Sequence, residues 1–279
     1  MERDMTGKCY VDGPFGQVHV EIVGDGLPIV LHHQSPVASC QFRRGAAALS
    51  KLGLSAVLVD TPGFGMSDTP DRPPTIEELS QVTKAVIDKL GLAPAVVLGH
   101  HTGSMIATEA ALRYPNLIRA VVLNTPLPHT PDEIEIWKRD CLGFEKNWRL
   151  RADGGHMQEI WDMMTGYAPG WSDVEAMHWT VTAILQAGET FWYGHNASFR
   201  YDHEAALRRL EVSGKPALIL TNAGDICAPY ARRAHELFSR FAFCELGGGT
   251  YDFANERPDD WAGSIAAFVH ELDQDTMAP

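Results

Sequence analysis

The sequence predicts an α/β fold: a mostly parallel sheet with helices on both faces. Three observations carry this. Short apolar, β-rich runs alternate with helical patterns along the chain. One such run, Pro94 to Leu98, leads through Gly99-His100-His101-Thr102-Gly103 into a small-residue helical stretch from Ser104 to Leu112. A tryptophan-rich helical segment then interrupts the alternation. A chain of 279 residues is long enough for one large domain carrying such an insertion.

The strands are read in order. Gln17 to Val23 alternates and reads as an early antiparallel strand. Pro28 to His33, Ser55 to Asp60, Ala95 to Gly99 and Ala120 to Asn124 read as short buried strands, followed by Pro216 to Thr221 and Phe241 to Leu246. Thr75-Ile76-Glu77-Glu78 is a capping box, and the helix it opens carries Leu79, Val82, Val86 and Leu90 on one face and stops at Gly91. The segment 129–205 is helical in pattern, with starts at Thr130-Pro131-Asp132 and at Ser172. It holds Trp137, Trp148, Trp161, Trp171, Trp179 and Trp192, six of the seven tryptophans. These rings either roof an apolar pocket or pack the insertion's own core. The expected division is a core domain of 1–128 and 206–279, with a helical cap of 129–205.

Bulk properties exclude some classes of function. The net charge of -13 argues against nucleic-acid and anionic-membrane partners. No apolar run approaches the ~18 residues that span a bilayer, and Met1 to Met5 is not followed by the apolar core of a leader. The five cysteines, Cys9, Cys40, Cys141, Cys227 and Cys244, are odd in number and scattered, which suits reduced thiols in the cytoplasm. The expected partner is a small-molecule substrate, and a homodimer is left open.

Several motifs in one order resemble the α/β-hydrolase superfamily across nearly the whole chain. His33-Gln34-Ser35-Pro36 follows the first parallel strand, where that superfamily has H-G-x-P. Asp60-Thr61-Pro62-Gly63-Phe64-Gly65-Met66-Ser67-Asp68 resembles its D-x-P-G-x-G-x-S-D signature. Gly99 to Gly103 resembles the nucleophile elbow, and Arg113-Tyr114-Pro115 closes the elbow helix as it commonly does there. Gly224-Asp225 with Pro229 resembles the loop of the triad acid, and Glu256-Arg257-Pro258 the E-x-P after the triad histidine. The resemblance implies an eight-stranded sheet with a cap. The sequence departs from the pattern twice. The nucleophile position is His101, and the triad histidine position falls on Tyr251, or on Thr250 if the loop differs by one. No histidine lies between His235 and His270.

These departures describe a divergent branch in which only the triad acid, Asp225, is retained. An imidazole at the elbow extends into volume normally shared by serine and histidine, and from there it can reach Asp225. Such a pair suits a general base; direct attack by the imidazole is the alternative. Tyr251 either donates to a substrate oxygen or packs in its loop. The oxyanion donors map to the backbone N–H groups of Ser35 and Thr102. Gln34 adds a donor or narrows the entrance. His33 and His100 stand at positions where the superfamily has histidines, and Trp137 and Trp192 are taken as cap residues facing substrate. His129, His178 and His195 of the cap are further residues that could face the cleft. The adjacency of His32-His33 and His100-His101 invites a metal reading, but neighbours on a strand point to opposite faces, so at most about half of these four could converge on one ion. The expected protein is a cofactor-independent, metal-free hydrolase of a small apolar ester, lactone or diketone-like substrate. The alternatives are a lyase, decarboxylase or isomerase using His101 for proton transfer, and an inactive ligand-binding protein.

Overall fold

The structure, a computed structural model, describes residues 6–171 and 173–277. Met1 to Met5, and the helix start expected at Ser172, lie outside the described residues. Eight strands form one sheet: β1 (Gly7–Gly13), β2 (Gly16–Val23), β3 (Leu27–His32), β4 (Leu54–Val59), β5 (Ala95–His100), β6 (Ile118–Asn124), β7 (Ala217–Asn222) and β8 (Ala242–Leu246). Their spatial order is β1-β2-β4-β3-β5-β6-β7-β8, and every pairing from β4 to β8 is parallel. β1 pairs antiparallel with β2, and β2 with β4. The sequence reading did not locate β1, because of its seven residues only Val11 is buried and no apolar run marks it.

Both faces of the parallel strands are covered, which is why they read as continuous apolar runs. Val30, Val57, Val97 and Val121 face one layer, with Val82 and Val86 of α2 (Ile76–Leu90) and Ala107 and Ala110 of α3 (Thr102–Arg113). Leu31, Leu58, Leu98 and Val122 face the other, against Leu49 of α1 (Arg43–Lys51) and Trp261 and Ile265 of α12 (Pro258–Met277). Trp261, the tryptophan outside the insertion, stacks on Phe42 at 5.7 Å and donates its indole N–H to Asn124 at 2.7 Å. The expected limits of α2 hold in detail. Thr75 and Glu78 make a reciprocal capping box, and Gly91 closes the helix in the left-handed region at φ 66°.

The strand order places the site. From β3 the chain moves outward to β4, then returns past β3 to β5. The connections after β3 and β5 therefore diverge, and a crevice opens at their carboxyl ends. The elbow lies in that crevice. A Cβ on Gly99 would stand 1.9 Å from the Gly103 carbonyl oxygen, and one on Gly103 would stand 2.1 Å from that of His32. Only glycine permits this approach of α3 to β3 and β5.

Between β6 and β7 the chain leaves the sheet to form α4 (Pro131–Trp137), a π-turn (Lys138–Leu142), α5 (Gly143–Asn147), α6 (Gly155–Tyr167), α7 (Val174–Ala187) and α8 (Tyr193–Ser198). α4 starts at the expected capping box, Thr130 with Glu133, and α7 is capped by Asp173. Trp148, Ile160, Met164, Trp171, Met177 and Phe191 build a separate core for these helices, which Phe64 and Tyr251 of the sheet domain join. α9 (His203–Val212) belongs to the sheet layer again, with Leu207 and Leu210 in the core beside α3.

Two outcomes follow from this packing. Gly103→Ala is expected to lose about 3 kcal/mol or more in denaturant unfolding. Gly166→Ala, on a helix with open space where its Cβ would go, should be neutral or gain up to ~1 kcal/mol. Equal effects would contradict the steric account. Burial pushes the His32 and His203 imidazoles down to about 3, His32 with its Nε2 on the Thr83 hydroxyl at 2.8 Å and His203 accepting the Leu127 N–H at 3.3 Å. The unfolded chain therefore binds more protons than the native one below the ordinary histidine value of about 6.5. The share of the unfolding free energy owed to these two rings should be flat above that value and fall, by on the order of a few kcal/mol in all, as pH drops toward 4, so the midpoint of the native protein should drop further over that range than that of His32→Gln. Equal drops in the two would contradict it.

Candidate active site

His101 is the hinge between β5 and α3, with φ 47° and ψ -110°. A non-glycine residue with positive φ is strained and is held there by its surroundings. Its N–H donates to the Asn124 carbonyl at 3.0 Å, and its own carbonyl accepts from the Ser104 N–H at 2.9 Å. The ring is thereby directed at the loop after β7. Its Nε2 lies 2.9 Å from Asp225 Oδ2 and 3.2 Å from Oδ1.

Asp225 is buried and receives three donors. His100 Nε2 lies 3.3 Å from Oδ2, and the Cys227 N–H reaches Oδ1 at 2.7 Å. Burial opposes ionisation, but the two imidazoles and their hydrogen bonds outweigh it and hold the carboxyl far below the usual carboxylate range. An ionised carboxylate only accepts, so the nitrogens facing it carry protons. Gln41 fixes the second ring. Its Oε1 accepts the Gln34 N–H at 3.0 Å, which leaves the amide Nε2 to donate to His100 Nδ1. Burial and the neighbouring His101 push His100 down to about 4, so it stays neutral with its proton on Nε2.

On His101 the same logic leaves Nδ1 as the bare nitrogen, with no hydrogen-bond partner among the described residues. This is the reverse of the serine triad, where the carboxylate holds Nδ1 and Nε2 acts as the base. His101 lines a cavity of about 80 Å³ open to water centres, several times the ~10–15 Å³ that one water needs on that measure. Ser35 also lines it, and its N–H has no partner among the described residues. Thr102 opens α3, so its N–H is one of the unpaired donors of that helix start. The arrangement offers a bare ring nitrogen, a cavity with room for water and a small substrate group, and two backbone donors.

Of the residues expected at the site, His101, Gln34, Ser35, Trp137 and Tyr251 line the cavity, with His100, Thr102 and Asp225 directly behind. Tyr251 does not link His101 to Asp225, which meet directly. Its hydroxyl donates to the Met164 carbonyl at 3.4 Å, its ring packs edge-on against Trp171 at 5.3 Å, and burial raises its phenol above the ordinary range. Thr250, the other position read for the triad histidine, is bound instead to the Glu256 carboxylate.

Two expected residues lie away from the cavity. His33 turns aside: its Nδ1 donates to the Gln34 carbonyl at 2.7 Å, and its Nε2 accepts the Thr61 N–H at 3.1 Å. It shapes the loop that presents Ser35. Trp192 packs under the Lys146 ammonium at 4.6 Å. Of the six cap tryptophans only Trp137 lines the cavity, because Trp148 and Trp171 fill the cap's own core and Trp179 lies under Arg43 at 4.4 Å.

The methionine-rich part of the cap, read from the sequence as suited to an apolar pocket roof, does supply Met163 and Met164 to the lining; the sequence reading missed Gln41, the bridge that orients His100, and Cys141, Glu145 and Tyr167 of the cap lining. Cys141 and Glu145 stand four residues apart on one helical face, but nothing local pairs them with a histidine fifty positions on. Two clusters among the described residues bring donor atoms within 4.8 Å of one another: His100, His101 and Asp225, and Cys141, Glu145 and His195. In both the His-to-carboxylate separations run short, down to 2.9 and 2.7 Å. A tetrahedral metal would hold such ligands about 3.3 Å apart, so these are hydrogen bonds.

A family model for the alpha/beta hydrolase fold matches residues 28–248. The chain is 35% identical over 126 residues to bifunctional epoxide hydrolase 2 of Sus scrofa, covering 43% of this chain and 22% of that protein. It thus spans about a fifth of that relative's length. It is 24% identical over 258 residues to a non-heme chloroperoxidase of Streptomyces lividans, 88% of this chain and 92% of the relative. The solved enol-lactonase from Burkholderia xenovorans LB400 superposes with a TM-score of 0.79 at 20% identity, over 94% of this chain and all of that one. With the sheet order, the elbow and the family match in agreement, the chain belongs to the α/β-hydrolase-fold family.

Proposed function

We propose that this protein is a hydrolase in which His101, held by Asp225, activates water against a small apolar ester, lactone or diketone-like substrate. The observation that carries the reading is the 2.9 Å bond from His101 Nε2 to a buried carboxylate, which leaves Nδ1 as a base beside a cavity with room for water. Water gives a proton to Nδ1 while its oxygen bonds to the substrate carbonyl carbon. The Asp225 carboxylate stabilises the imidazolium that forms. The N–H groups of Ser35 and Thr102 stabilise the oxyanion. Collapse of that adduct breaks the bond to the leaving group, which takes up a proton. The Met163 and Met164 side of the cavity suits an apolar acyl chain.

The same base and donors would serve proton abstraction beside a carbonyl, with an enolate as the stabilised anion.

The test is turnover of a panel of p-nitrophenyl and ethyl esters, small lactones and 1,3-diketones. His101→Ala should lower kcat by about 100-fold or more with little change in KM, and added imidazole should restore part of it. Asp225→Asn should lower kcat comparably, because an amide no longer holds the Nε2–H tautomer. Undiminished turnover in His101→Ala would overturn the reading. A pre-steady-state burst of leaving group, lost in His101→Ala, would replace the base with an acyl-imidazole nucleophile.

A further inference from the structure

The cavity holds a second carboxylate-backed histidine that the scheme above does not use. His195, on α8, meets Glu145 of α5: its Nδ1 lies 2.7 Å from Glu145 Oε1. Glu145 is almost fully buried, and its other oxygen, Oε2, is unpartnered. Cys141 Sγ lies 3.4 Å from the same Nδ1 and 3.5 Å from Glu145 Oε1. Thiol and carboxylate thus converge on one nitrogen. A cysteine relay needs them on opposite nitrogens, so the cluster is not a thiol triad. The ring plane is set by Phe199, stacked at 5.4 Å and 6°. His195 Nε2 has no hydrogen-bond partner among the described residues, and the side chain keeps 18% exposure while lining the cavity that His101 lines.

The position of α8 is set by the site itself. A Cβ on Gly194 would lie 1.9 Å from Ser35 Oγ. The helix therefore rests on the very loop that supplies one oxyanion donor, and the next residue is His195. We propose that His195, oriented by Glu145, is a second catalytic residue: a cap-borne general acid that protonates the departing oxygen while His101 acts as base. The proposal rests on the hydrolase reading.

The proton count closes. Water loses a proton to His101 Nδ1, its oxygen bonds to the acyl carbon, and the carbon–oxygen bond to the leaving group breaks. The leaving oxygen takes the Nε2 proton of His195. The product acid and alcohol depart, and solvent returns one proton to His195 and takes one from His101. The environment of His195 supports the donor role. Burial disfavours its charge, but the acidic groups of Cys141 and Glu145 outweigh this and raise it well above the ordinary histidine value. Burial raises the Cys141 thiol, and the Glu145 carboxyl stands 2.7 Å from the His195 ring. The other titratable groups nearby are Tyr167, which burial keeps protonated, and His129, which burial pushes down to about 4.

The test compares two leaving groups on one acyl chain, p-nitrophenyl butyrate and ethyl butyrate. A nitrophenolate leaves without a proton; an ethoxide needs one. His195→Gln should lower kcat on the ethyl ester by about 100-fold and leave the nitrophenyl ester within about 3-fold. Glu145→Gln should show the same selectivity more weakly. Equal loss on both esters, or loss on neither, overturns the proposal. Nitrogen-15 NMR of the histidines supplies a readout that needs no substrate. At neutral pH His195 should carry protons on both nitrogens, and Glu145→Gln should remove one; a neutral His195 in the unaltered protein overturns the proposal. If that protein turns over neither ester, the hydrolase reading fails, and the NMR still decides the state of His195.

Discussion

The site depends on one buried anion. Asp225 has no exposed surface on its side chain, yet two imidazoles and a backbone N–H converge on it at 2.7 to 3.3 Å. An unpaired carboxylate there would be strongly destabilising. Three donors make it tolerable and, in doing so, assign a proton to each ring nitrogen that faces it. From that assignment the bare Nδ1 of His101 follows, and with it the direction in which the ring can take a proton. His100, which does not line the cavity, completes the donor set, and Gln41 locks His100 to the same loop that carries Ser35. His101, Asp225 and the Ser35 loop are tied into one hydrogen-bonded unit.

The backbone supplies the other constraint. Parallel strands diverge in their connections between β3 and β5, and the elbow exploits that gap. Gly99 and Gly103 let α3 approach β3 and β5 so closely that the residue between them is forced to φ 47°. The His101 imidazole spans the distance to the loop after β7, where its Nε2 meets Asp225 Oδ2 at 2.9 Å. The cap closes over it by an equally tight contact, Gly194 against Ser35. Its position is therefore coupled to the Ser35 loop.

Much of this was legible in the sequence, for reasons that differ by element. Strands buried on both faces announce themselves as apolar runs, and α2 carries its start and stop in Thr75, Glu78 and Gly91. His101 and Asp225 stand at family positions, so their meeting follows once the elbow and the acid loop are identified. β1 lacked an apolar run, since it is a half-exposed edge strand. The cap was harder. Its tryptophans signal apolar packing but not which way they face, and five of the six serve the cap's packing or a cation contact rather than the cavity. His195, Glu145 and Cys141 meet only because α8 folds back onto α5, a tertiary fact with no local signature.

The central claim is the tautomer of His101, and nitrogen-15 NMR of selectively labelled histidine reads it directly. At mildly alkaline pH the account predicts a proton on Nε2, a bare Nδ1, and a hydrogen-bond shift on Nε2–H that disappears in Asp225→Asn. A proton resident on Nδ1, or an Nε2 resonance indifferent to Asp225→Asn, would contradict it.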